Sequence, residues 1–119
     1  MDKMQALYSF WSQFGWDVYD ESTVPDDAQL PYLTYEASSD NFDHPVAQTV
    51  NIWDRSTSWK NVESMRKDIE AIIGRSGAIQ RFDGGAIWIK RGQPFAQRLT
   101  DPDDMIRRII LNIETEFID

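Results

Sequence analysis

The sequence predicts an α+β fold, a single domain spanning 1–119 with a mainly antiparallel sheet and two helices packed on one face. Two segments, 2–14 and 58–73, carry apolar residues at helical spacing. Other segments are rich in β-forming residues and are bounded by Gly, Pro, Asp and Ser. The last of them, 105–117, puts Ile109, Leu111, Ile113 and Phe117 on one face and Arg108, Asn112, Glu114 and Glu116 on the other. One apolar and one wet face suit an antiparallel sheet covered on a single side.

Each element follows from local pattern. In 2–14, Met4, Leu7, Tyr8, Trp11 and Phe14 form a stripe that Gly15 is placed to cap, while Phe10 lies off it and points to a second buried face. "WDVY" (16–19) is a short strand, followed by the polar connection "DESTVPDDAQLP". "YLTYEAS" (32–38) alternates as a strand, "SDNFDHP" is a loop, and "VAQTVNIWDRS" (46–56) is a longer strand. Ser58 can cap the second helix, whose stripe is Trp59, Val62, Met65, Ile69, Ile72 and Ile73. Glu63 and Lys67 are spaced for an i,i+4 pair on its solvent side, and Gly74 ends it. "AIQRF", the turn Asp83-Gly84-Gly85 and "AIWIKR" form a hairpin. "GQPFA" (92–96) then reads as a turn or loop, and "TDPDD" as the turn before the last strand.

Composition narrows the function classes. With 41% hydrophobic and 13% aromatic residues, the chain can build a packed core. It has no cysteine, hence no disulfide, thiol nucleophile or thiolate metal site, which fits a cytoplasm-like compartment. No long apolar run is present to span a membrane, and "MDKMQALYSFW" does not read as a secretory leader. A net charge of −8 argues against general affinity for DNA or anionic membrane. That charge is unevenly placed: residues 1–54 hold ten acids against Lys3 alone, whereas 55–119 hold ten acids and eleven bases. The halves therefore carry −9 and +1. Such asymmetry serves as a solubilising surface, or lets the acidic part of one copy meet the less acidic part of another.

Catalytic patterns are weak. His44, the only histidine, sits in a polar loop and reads as inert, and a zinc site without a second His or a Cys would need three carboxylates. Asp101-Pro102-Asp103-Asp104 lacks calcium-loop spacing. Neither a phosphate-binding glycine loop nor a G-x-S-x-G elbow occurs, so no catalytic residue, metal or cofactor is assigned. Paired carboxylates such as Asp26-Asp27 leave a small acidic hydrolase as the alternative of another class. Trp53 and Trp59, flanking "DRSTS", are expected to fold back onto one core; an aromatic platform for a base or sugar is the other use of such a pair.

The segments "VPDDAQLPYLTYE", "NIWDRSTSWKNV" and "IWIKRGQPFAQRLTDPDDMIRRIILNIETEF", taken in order over nearly the whole chain, resemble small tail-completion proteins of long-tailed bacteriophages. Within that group the chain is most similar to the tail terminator family of minor tail proteins, carried chiefly by "LPYLTYE", "RSTSW" and "RRIILNIE"; a neck or head–tail joining protein is the sibling alternative. The resemblance implies a virion protein, made in the host cytoplasm, that forms a ring, usually of six subunits. That ring would sit on the last tail-tube ring, stop tube polymerisation and offer a surface to the head connector. Genome DNA would pass through its lumen without specific binding, past acidic residues that repel phosphate. On this reading "WIKRGQPFAQR" is an intersubunit element. Phe95 would be an anchor into a neighbouring subunit, with Arg91, Gln93 and Arg98 around it. Alternatively, Phe95 folds over its own strand.

Overall fold

A computed structural model describes residues 1–37 and 46–119; His44 and the predicted 39–45 loop lie outside them. The architecture is α+β. The elements are α1 (Lys3–Ser12), β1 (Asp17–Asp20), a short 3-10 turn (Glu21–Thr23), β2 (Tyr32–Tyr35), β3 (Val46–Arg55), α2 (Lys60–Ile73), β4 (Ala78–Phe82), β5 (Gly85–Leu99) and β6 (Ile106–Ile118). The strands form one sheet in the order β1-β2-β3-β6-β5-β4. Every neighbouring pair is antiparallel except β1 and β2, which are parallel.

Alternation on β6 organises the molecule. Ile109, Leu111, Ile113, Thr115 and Phe117 are buried, while the residues between them are half-buried on the opposite face. Leu33, Val50, Ile52, Ile87 and Ile89 join the same apolar cluster, and both helices pack into it. The helix α2 supplies Val62, Met65, Ile69 and Ile73, and lies over β3, β5 and β6. α1 supplies Ala6, Leu7, Phe10 and Trp11, and touches both β1 and β4, the two edge strands. The sheet therefore curls until one short helix spans from edge to edge.

Several details depart from the sequence reading. Tyr8, expected on the buried stripe of α1, is exposed, whereas Phe10, read as pointing to a second buried face, is buried beside Leu7 and Trp11. Asp2 caps α1 through a reciprocal box with Gln5. Ile72 is exposed, at the flank of the α2 stripe. The Ser58 hydroxyl accepts from the Lys60 amide at 3.1 Å, but the cap position itself is Trp59. The second strand ends at Tyr35. The largest correction concerns 92–96: it is not a connecting loop but the middle of β5, which runs unbroken from Gly85 to Leu99. Gly92 and Pro94 look like breakers, yet β4 pairs only as far as Ile89. Beyond that point β5 is flanked by β6 alone, and an unpaired strand flank tolerates proline.

Candidate functional site

The site is built on an irregularity in β5. Arg91 pairs with Ile113 and Ala96 with Leu111, so Gly92, Gln93, Pro94 and Phe95 all stand opposite the single residue Asn112. This is an enlarged bulge, which bends a strand and re-aims its side chains. The Asn112 side chain holds it by donating from Nδ2 to the Pro94 carbonyl at 2.7 Å. Gly92 permits the close approach, since a Cβ there would lie 2.9 Å from the Asn112 carbonyl oxygen.

A chain of charges clamps both ends of the bulge to α2. Arg91 Nη1 reaches Glu70 at 3.2 Å, and Arg98 Nε reaches Glu63 at 3.3 Å. Between those acids Arg66 bonds Glu63 at 3.0 Å and Glu70 at 2.6 Å. Glu63 thus pairs with Arg66 and Arg98, not with Lys67 as its helical spacing predicted. Burial pushes the Glu63 carboxyl upward, but hydrogen bonds and charge from Arg66 and Arg98 outweigh it and hold its pKa below the ordinary carboxylate value. Arg98 also stacks on Trp59, its guanidinium carbon 4.6 Å from the ring centre. Phe95 lies between the clamps, half-buried against the core and beside Ala96 and Ile109 in a groove under α2.

The four interface candidates are therefore gathered on one stretch of strand but face differently. Arg91 and Arg98 turn to α2, Phe95 leans on the core, and Gln93 is exposed. Their acidic partners are Glu63, which the sequence pairs with Lys67, and Glu70, which no local pattern singles out; both face β5 from α2. A second concavity opens on the other side of Phe95, lined by Arg75, Lys90, Arg91, Gln93 and Glu114.

The two tryptophans part company. Trp59 packs on the core as expected. Trp53 does not: it lies half-buried on the outer sheet face, donates Nε1 to the Thr34 hydroxyl at 3.2 Å, and stacks under Arg108 at 4.4 Å. Tyr32 and Tyr19 extend that row, with ring centres 6.3 Å and then 5.6 Å apart. Register explains the split, because Tyr32, Trp53 and Arg108 stand opposite one another across β2, β3 and β6. Asp26 and Asp27, the carboxylate pair of the hydrolase alternative, are exposed. Among the described residues no group of three or more His, Asp or Glu is placed to hold a metal ion. No helix there is long and apolar enough to cross a membrane.

No protein-family model matches the chain, and no curated protein matches it. Among solved structures it is similar to a chain from the "Virion of native gene transfer agent (GTA) particle", with a TM-score of 0.57 and 17% identity. The match covers 98% of this chain and 91% of that one. At that identity the likeness is one of fold, and it extends over essentially the whole domain.

Proposed function

We propose that the protein is a structural component of a phage-type virion, and within it a tail terminator. It would form a ring, of six subunits on the family pattern, on the last ring of tail tube protein. There it would end polymerisation and present a face to the head connector or neck protein. The observation that carries the virion role is the fold shared, nearly end to end, with a component of a gene transfer agent virion. The narrower role is supported by "LPYLTYE", "RSTSW" and "RRIILNIE" in their order.

Physical features agree with such a role. A heterologous contact, in which unlike patches meet, closes into a ring when its rotation permits. The uneven charge of the two halves supplies unlike patches. The outer sheet face carries Asn112 and Glu116 on β6, beside the ion pair of Glu114 with Lys90. A lumen wall of that kind is wet and, where acidic, repels DNA phosphate. Deleting the gene and imaging the particles tests the assignment. Overlong tails or tubes are expected. Tails of normal length without heads would instead make this a head–tail joining protein, and unchanged particles would remove it from the virion altogether.

A further inference from the structure

Arg75, Lys90 and Arg91 converge on one concave site of about 370 Å³, with Gln93 and the single acid Glu114. In a chain of net charge −8 this is an anomaly. Two of the cations are partly answered within the chain: Lys90 reaches Glu114 at 3.5 Å, and Arg91 is turned to Glu70. Arg75, exposed in the connection between α2 and β4, makes none of the ion pairs found among the described residues. The site thus keeps positive charge available for a ligand.

The complementary charge lies on the same molecule. After β1, the segment from Glu21 to Asp27 carries Glu21, Asp26 and Asp27, all exposed and none in an ion pair among the described residues. Register sets the acids and the basic site on well-separated strands of the sheet. Asp20 stands opposite Tyr35, Tyr35 opposite Val50, Val50 opposite Leu111, and Leu111 opposite Ala96, next to Phe95. Four strand spacings separate the two ends of that row, about 19 Å along the sheet at ~4.8 Å each. A chain cannot reach its own acids across that span, but a neighbour can. A head-to-tail contact of this kind closes into a ring when its rotation permits.

We infer that the concavity of Arg75, Lys90 and Arg91 receives the acidic segment 21–27 of a second copy of this chain, head to tail. This rests on the ring reading above and adds its contact. The partner is recognised by carboxylates meeting guanidinium and ammonium groups, and charge pairing of this kind sets register and encounter rate.

The test exchanges charges. R75E/K90E in one chain and D26K/D27K in another should each weaken self-association, measured by sedimentation, by about tenfold or more. An equimolar mixture should recover it as an alternating assembly, because every contact again joins unlike signs. The chain has no cysteine, so R75C copies mixed with D26C copies give a second readout: disulfide-linked dimers of the two, faster than either variant links to itself. Association at wild-type strength in both charge-reversed chains, with no preferred crosslink, overturns this contact and leaves the ring reading standing. Failure of the wild-type chain both to self-associate and to cap tail tubes overturns the ring reading and this contact together. Loss of duplex-DNA binding in R75E/K90E with assembly intact would make the concavity a phosphate site and overturn the proposal.

Discussion

Glu63 shows how one side chain can carry more than its sequence context reveals. It joins α2 to itself through Arg66 and to β5 through Arg98, and these partners hold its pKa low. A group whose pKa is depressed on folding contributes stability above its unfolded pKa and loses it as pH falls through the folded value. Glu63→Gln should therefore melt below wild type at neutral pH, and the gap should close as the solution is acidified past the ordinary carboxylate range. Thermal unfolding over a pH series checks this; a gap that stays constant into acid would mean Glu63 acts by packing alone. Phe95 and Ile69 make a second comparison. Ile69 is fully buried, so Ile69→Ala should cost about 2–5 kcal/mol by transfer and cavity terms. Phe95 is only half-buried, and Phe95→Ala should cost clearly less in the isolated chain while weakening assembly more. Equal losses of monomer stability would mark Phe95 as core and remove it from the interface.

The element that matters most is the bulged strand β5. Its shape depends on Asn112, whose amide donates to Pro94 across the break in the ladder. Asn112→Ala should lose about 1 kcal/mol, the usual net worth of such a bond. Amide exchange should rise in 92–96 before it rises elsewhere; uniform exchange across β5 and β6 would mean the bulge holds itself. The regular elements were legible because their periods are their signal. The 58–73 stripe, the alternation of 105–117 and the Asp83-Gly84 turn each encode one local geometry. The bulge was not legible, since Gly92 and Pro94 look identical in a loop and in a strand that has lost its outer neighbour. Knowing that β4 stops pairing at Ile89 requires the tertiary structure. The same holds for the site: the arginines were visible in sequence, but their partners on α2 are far from them in the chain. Trp53 went astray for a related reason, as its face is set by pairing with Tyr32 and Arg108 and not by its distance from Trp59.

At the scale of the whole molecule, α1 is the part on which closure depends, because it touches both edge strands of the sheet. Trp11 is nearly fully buried there, with Phe10 edge-on at 4.9 Å. Trp11→Ala should cost about 3–5 kcal/mol. It should also loosen β1 and β4 together, since one helix covers both; exchange measurements that find only one of these strands loosened would refute the bridging role. The position of that helix also has a consequence in time. During synthesis α1 precedes every strand it packs on, and β4, one of its two supports, follows only after 78–82 has been made. Until then Leu7, Phe10 and Trp11 present an apolar face to solvent, and a growing chain with exposed apolar surface is prone to wrong contacts. Closure of the sheet thus joins α1 to a strand made only after β1, β2 and β3, and nascent chains stalled before Phe82 should be the ones that chaperones hold.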